Sequence, residues 1–274
     1  MKNFLVVTAT GLFGGVLALF SCPKSTSQTG AQVSARQSER RPVIVELFTS
    51  EGCSSCPPAD ALLQKLQEDQ PIKGIEVIAL EEHVDYWNHD GWTDPFSSSE
   101  WTNRQLDYET AVKISQSYTP EMVVDGQAAF VGSYERKAED EIEKAAQEAK
   151  AEVTITPASP DTKGSLNFSV SVGSLAENAT GDVAEVWLAV TEDGLQSSVS
   201  RGENAGHVLL HTATLRSLHK IGVANSKLMP TSFAGGANVK FEPRWSRERS
   251  RVTVFVQEKK SRKILGAATI RITR

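Results

Sequence analysis

Between Pro42 and Lys150 the apolar positions follow two habits in turn, short continuous runs and stripes at helical spacing. Val43-Ile44-Val45-Glu46-Leu47-Phe48 is a run with a β-branched start, which predicts a strand buried on both faces. Beyond Ser50-Glu51-Gly52 and Cys53-Ser54-Ser55-Cys56-Pro57-Pro58, residues Ala59, Leu62, Leu63 and Leu66 share one helical stripe reaching Gln67. Proline suits a helix opening, where its missing amide would lack a partner in any case, so this helix begins beside Cys56. Ile75 to Leu80 reads as a second strand. Ser97 and Glu100 have capping-box spacing ahead of a second helix, with Trp101, Arg104, Gln105, Tyr108 and Val112 near one face as far as about Ser117. Thr119-Pro120 stops that helix, Glu121 to Val124 is a short strand, and Asp125-Gly126 turns the chain into a paired strand over Gln127 to Val131. A charged segment rich in Ala, Glu and Lys, about Tyr134 to Lys150, reads as a surface helix.

The order is therefore strand, helix, strand, helix, strand, strand, helix. The first crossover calls for parallel pairing and the Asp125-Gly126 turn for antiparallel pairing, so a mixed sheet is predicted. That order resembles the thioredoxin core, whose active site lies at the first strand-to-helix junction, where Cys53 and Cys56 stand here. From about Glu152 the pattern becomes alternation: Leu166, Phe168, Val170 and Val172, then Val186, Leu188 and Val190, then Val252, Val254 and Val256. Turns containing Gly, Asn and Ser separate these segments, and no long helix or internal repeat interrupts them. The expected fold class is an α/β thioredoxin-like domain over 42–151, a mixed sheet flanked by helices, followed by an antiparallel β-sandwich-like domain over 152–274.

Composition adds little: 23% charged and 39% hydrophobic residues are ordinary globular usage. A formal net charge of -5 offers no electrostatic footprint for nucleic acid. The first residues change the picture. Lys2 precedes Phe4 to Phe20, an uncharged stretch of seventeen residues with three glycines. It reads as an export signal over 1–22, because a permanent membrane anchor at that length is near the lower limit. Leu19-Phe20-Ser21-Cys22 resembles the lipobox of bacterial lipoproteins, in which the cysteine is lipidated; the alternative is a plain cleaved signal. Residues 23–41 lack aromatics and hold a single large aliphatic, Val33, which fits a flexible tether. The expected location is thus the periplasm or outer cell envelope, with a membrane tether through Cys22.

With Cys22 in the leader, the body of the chain keeps only Cys53 and Cys56, which excludes a multi-disulfide scaffold. Export places the pair where disulfides persist. Two cysteines separated by two residues at a helix start can close a disulfide, and the helix terminus stabilises a thiolate on the first sulfur. Cys53 is the expected nucleophile and Cys56 the resolving thiol of an accessible redox pair. Its partners would be protein or small-molecule thiols and disulfides, with no resident cofactor. A static disulfide in an interaction protein is one alternative. Another is a metal-binding module: Cys53, Cys56, His83 and His89 could hold zinc, and the thiolates with His83 could hold copper.

The thioredoxin resemblance implies roles for further residues. Pro120, ahead of Met122-Val123-Val124, would be the cis-proline facing the cysteines, with Thr119 beside it in a substrate groove; sequence order alone equally allows a trans proline ending a helix. Glu46 would be the buried carboxylate exchanging a proton with Cys56, or else an exposed edge residue. Trp87 lies in the aromatic stretch Glu81 to Trp92, which suits a substrate groove or packing against the second domain. Gly202-Glu203-Asn204-Ala205-Gly206 reads as a turn between strands, and His207, His211 and His219 draw no chemical assignment.

The sequence also resembles the secreted, thioredoxin-like family catalogued as domain of unknown function 1223. The matching words run from Glu46-Leu47-Phe48-Thr49-Ser50-Glu51-Gly52-Cys53-Ser54-Ser55-Cys56-Pro57-Pro58-Ala59-Asp60 through His83-Val84-Asp85-Tyr86-Trp87, Gly91-Trp92 and Asp94-Pro95-Phe96. Tyr118-Thr119-Pro120-Glu121-Met122-Val123-Val124-Asp125-Gly126 and Gly202-Glu203-Asn204-Ala205-Gly206 complete them. The resemblance covers about residues 42 to 274 and implies the fold and export, but no substrate. Glu82 departs from the pattern.

Overall fold

Parallel pairing of β1 (Arg41–Thr49) with β2 (Ile75–His83) frames the fold, in register from Arg41↔Ile75 to Thr49↔His83, with α1 (Pro57–Asp69) as the crossover. This computed structural model describes residues 40–89, 91–158, 164–175, 179 and 182–272, which fall within one compact unit. The leader expected at 1–22 with Cys22, and nearly all of the tether at 23–41, lie outside the described residues.

After α2 (Ser99–Val112) come β3 (Glu121–Val124), antiparallel to β1, then β4 (Ala128–Val131) and α3 (Glu135–Ala145). The mixed sheet expected from the element order is present. α2 differs from the expected span at both ends. Ser98, rather than Ser97, caps it through the amide of Glu100, because the Ser97 hydroxyl is bonded to the Asp94 carbonyl. It stops at Val112 because Lys113 turns left-handed, at φ 58, and sends its amide back to the Glu109 carbonyl. At the β3–β4 turn Asp125 and Gly126 both have positive φ, and a Cβ on Gly126 would meet the Arg262 carbonyl oxygen, so the turn needs its glycine twice over.

The later strands are β5 (Val153–Pro157), β6 (Ser165–Gly173), β7 (Ala184–Glu192), β8 (Leu195–Ser198), β9 (Val208–His211), β10 (Thr214–Ala224), β11 (Thr231–Lys240), β12 (Ser250–Glu258) and β13 (Ile264–Arg271). They do not stand apart from the first half. The order β13-β12-β7-β10-β2-β1-β3-β4 makes one eight-stranded sheet, joined where Thr214 of β10 pairs with Glu81 of β2. Both edges of β2 are thereby used: β1 covers one, and on the other the Glu81 amide donates to the Ala213 carbonyl. A second sheet, β11-β6-β5, faces β7 and β12. Phe168, Val170, Val172, Val186, Leu188, Val190, Val252, Val254 and Val256 all enter the core between those layers, so the alternation marked the inward faces. Two antiparallel layers pack as a sandwich would, yet one of them is continuous with the N-terminal sheet.

The first-half sheet is covered on both faces, which is why β1 reads as a continuous apolar run. Val43, Val45, Leu47, Val77, Ala79, Met122 and Val124 point toward α1 and α3, whereas Ile44, Phe48, Ile78, Leu80 and Val123 point the other way, where α2 supplies Trp101 and Tyr108. This pleat also sorts the charges at the end of β2. Glu81 and His83 share the α1 face, and Glu82 joins Glu46 on the α2 face.

On that second face Arg104 Nε lies 2.5 Å from Glu46 Oε2 and 3.4 Å from Glu82 Oε1, all three side chains being buried. Tyr108 donates a short hydrogen bond to the other Glu46 oxygen, and Gln257 of β12 donates to the Tyr108 hydroxyl at 2.8 Å. Burial, then the adjacent Glu46 charge, hold the Glu82 carboxyl well above the usual range, with Arg104 opposing. Arg104→Met would leave this buried acidic pair without its cation. We expect a loss of about 3–5 kcal/mol, read as a lower urea midpoint at an unchanged m-value; an unmoved midpoint would show that the pair does not depend on Arg104.

Candidate active site

Cys53 and Cys56 are joined by a disulfide with a Cα–Cα distance of 5.5 Å. The bridge closes where β1 hands over to α1: the Cys53 amide donates to the Ser50 carbonyl, the Cys56 amide to the Cys53 carbonyl, and Cys56 is the N-cap of α1 ahead of Pro57 and Pro58. Ser55 Oγ lies 3.3 Å from Cys53 Sγ. Trp87 packs so closely that a Cβ on Gly52 would come within 3.0 Å of the Trp87 Cβ. The Trp87 indole also donates to Thr119 Oγ1 at 2.8 Å, and the Thr119–Pro120 bond is cis. Trp87, Thr119 and the cysteine turn are therefore neighbours.

The pair is not accessible, contrary to the sequence expectation. Cys53 is 1% exposed and Cys56 0%. The reason lies about 150 residues away in the chain. The connection between β8 and β9 docks on the cysteine turn through Asn204, whose Nδ2 donates to the Glu51 carbonyl at 2.9 Å and the Cys53 carbonyl at 3.0 Å. Glu203 Oε2 accepts from the Ser54 amide at 3.1 Å. The Gly202–Gly206 segment is a turn between strands as read, and also a cover for the site.

Beneath the turn lies a buried ionic cluster. Glu51 Oε2 accepts from the Trp92 indole at 2.7 Å, Glu51 Oε1 pairs with His211 Nε2 at 3.0 Å, and the Glu51 amide donates to Asp94 Oδ2 at 2.8 Å. The same Asp94 oxygen holds His83 Nδ1 at 2.7 Å. His83 Nε2 is 3.4 Å from Glu81 Oε2, and His211 Nδ1 is 3.4 Å from Glu81 Oε1. Burial opposes charge on both histidines, but Asp94 with Glu81 raises His83, and Glu81 with Glu51 raises His211 to about 9. On α1, Asp60 accepts from Thr49 Oγ1 at 2.6 Å, and burial, then the Glu81 charge, push its carboxyl up to about 7.

Three expected site residues are not brought to the sulfurs. Glu46 is buried, but alternation along β1 turns it to the α2 face, away from α1, where Arg104 and Tyr108 hold it; it is no proton partner for Cys56. His83 groups with Glu81 and His211 among the described residues, while His89 is exposed, so the four-ligand set Cys53, Cys56, His83 and His89 does not assemble. Asn204, His211, Glu51 and Asp94 were missed as contributors. The recurring words around Glu51, Asp94 and Asn204 were their only sequence signal, and His211 had none.

The family model described as "Protein of unknown function (DUF1223)" matches residues 44–257. A crystal structure of a protein from Agrobacterium tumefaciens is 23% identical, with a TM-score of 0.63, and covers 85% of this chain and 95% of its own. HBP35 of Porphyromonas gingivalis is 16% identical, with a TM-score of 0.60, covering 85% and 76%. At such identities the likeness is one of fold. No curated protein matches the sequence.

Glu121, directly after Pro120, is buried; its Oε2 accepts from Gln105 Nε2 at 2.6 Å while Oε1 has no hydrogen-bond partner among the described residues. Burial pushes its carboxyl from 4.5 up to about 7. The folded state therefore favours the protonated acid: this contribution is complete below the unfolded value and is lost as pH rises through about 7. Glu121→Gln should be more stable than the parent at pH 8 and no more stable at pH 4 in denaturant unfolding. An equal difference at both values would contradict the assignment.

Proposed function

The chain belongs to the DUF1223 family of proteins of unknown function, and from its site we propose that it is an exported, thioredoxin-like thiol–disulfide oxidoreductase whose cysteine pair is gated by the β8–β9 connection. The observation that carries this reading is the Cys53–Cys56 disulfide at the opening of α1, with Trp87, Thr119 and Pro120 beside it. A structural staple needs no such surroundings.

In the reduced protein the Cys53 thiolate attacks one sulfur of a substrate disulfide, forming a mixed disulfide and releasing the first substrate thiolate. Cys56 then gives up its proton and attacks Cys53 Sγ, which restores the intramolecular bridge and releases the second thiolate. The pair loses two electrons and the substrate gains them; the reverse sequence oxidises a substrate dithiol. Ser55 Oγ is placed to donate to the Cys53 thiolate. Asp60, four residues along α1 from Cys56 and hence on the same helix face, titrates near neutrality and suits the role expected of Glu46. Thr119, Pro120 and Trp87 line the approach for an extended thiol or disulfide substrate. Export, with a lipid tether at Cys22, supplies a compartment in which both redox forms persist.

The burial of both sulfurs favours one second reading, a permanent staple beneath the β8–β9 connection. Titration against a glutathione buffer separates the two. Exchange predicts reversible reduction and a trapped mixed disulfide in Cys56→Ser but not in Cys53→Ser; a bridge that survives strong thiol leaves the staple. Gating adds a second expectation. Asn204→Ala removes two hydrogen bonds from the cover, each contributing about 1 kcal/mol, so alkylation of the reduced pair should quicken roughly tenfold or more. An unchanged rate would remove the gate from the proposal.

A further inference from the structure

We propose that Glu81, His83 and His211 form a binding site for one divalent cation of the zinc type, beneath the cysteine turn and independent of its sulfurs. Each of the three side chains is buried, and among the described residues each has a single atom without a hydrogen-bond partner: Glu81 Oε1, His83 Nε2 and His211 Nδ1. One ligand atom from each of the three residues lies within 4.8 Å of the others. Buried polar atoms without a hydrogen bond are costly, and these three residues are close enough together to share one occupant.

The remaining atom of every ligand is engaged. His83 Nδ1 is held by Asp94 Oδ2 at 2.7 Å, His211 Nε2 by Glu51 Oε1 at 3.0 Å, and Glu81 Oε2 accepts from Thr214 Oγ1 at 2.8 Å. A carboxylate on the far nitrogen of a histidine fixes its tautomer, turns the near nitrogen into a lone-pair donor and strengthens it as a ligand. Both histidines have this arrangement, in opposite senses: His83 would bind through Nε2 and His211 through Nδ1.

The spacing agrees with this. Of the proposed ligand atoms, His211 Nδ1 and Glu81 Oε1 stand 3.4 Å apart, and His83 Nε2 is 3.4 Å from the other oxygen of the same carboxylate. Ligand atoms about 2.0–2.1 Å from a tetrahedral zinc ion stand about 3.3–3.4 Å apart. Two imidazoles and a carboxylate select a transition metal over magnesium or calcium, which favour oxygen ligands. Without an ion, protonated His83 Nε2 and His211 Nδ1 pair with Glu81 at 3.4 Å, so a cation binding there would displace those protons and take over the charge balance. Because β2 supplies two ligands and β9 the third, the ion would pin the β8–β9 hairpin to the sheet.

The test uses the full chain with Cys53→Ser and Cys56→Ser, so that neither thiolate binding nor thiol exchange can contribute and the redox reading stands or falls separately. After chelator treatment, titration with zinc chloride should load one ion per chain, retained through gel filtration, with a raised unfolding temperature. His211→Gln in that background should weaken uptake by more than about a hundredfold. Since a ligand variant can fail by misfolding, X-ray absorption on the zinc-loaded chain with its cysteines intact provides a second reading. A first shell of nitrogen and oxygen at about 2.0 Å is expected. Sulfur at about 2.3 Å, or a folded serine variant that retains no zinc, would overturn the proposal.

Discussion

Glu51 stands two residues before Cys53, fully buried, with a partner on each of its polar atoms. Its amide reaches Asp94, its carbonyl Asn204, and its carboxylate Trp92 on one oxygen and His211 on the other. A buried carboxylate is tolerable only when so compensated, because the desolvation penalty must be met by directed donors. Those donors come from the loop after β2 and from the β8–β9 hairpin, so satisfying this residue fastens two distant segments around the cysteine turn. The cover over the sulfurs and the closeness of the two histidines follow from that constraint.

The pleat of β2 provides a second level of order. Glu81-Glu82-His83 are consecutive and all buried, and a strand can bury such a triplet only by dividing it between two faces. Glu82 goes to the Arg104 cluster, which ties α2 to β1, β2 and β12 of the sheet. Glu81 and His83 go to the α1 face, under the cysteines, with Asp60 and His211. The molecule thus carries two ionic cores of different character. The first has its own cation in Arg104; the second has acids and imidazoles paired with one another.

A covered disulfide and an active disulfide are compatible when the cover is held by a few hydrogen bonds and not by a continuous apolar interface. Asn204 and Glu203 make polar contacts to the cysteine turn, while Val208 and Leu210 on the adjoining strand remain exposed. Segments with few buried apolar contacts open at the low end of a protein's local stability range. Below them, His211 returns the same hairpin to Glu51 and Glu81, so the cover and the ionic cluster share one structural element.

Much of the first half was legible in the sequence because strand and helix periods are local properties: the β1 run, the α1 stripe and the Asp125-Gly126 turn lie where their patterns put them. The alternating valines of the second half likewise marked their inward face. Local period also says that Glu46 and Leu47 face opposite ways, but not which side carries α1, and so the role assigned to Glu46 failed. Nor does any local pattern encode the Thr214–Glu81 pairing that merges the two regions into one sheet. That long-range contact, with the hairpin it carries, decided that the cysteines are buried and that His211, more than 100 residues from His83, completes the cluster. The sequence by itself determined the element order, the inward faces and the position of the cysteine motif, since each depends on neighbours a few residues apart. Only the tertiary structure decided access and convergence, because both are set by backbone edges and buried charges that find their partners across the whole fold.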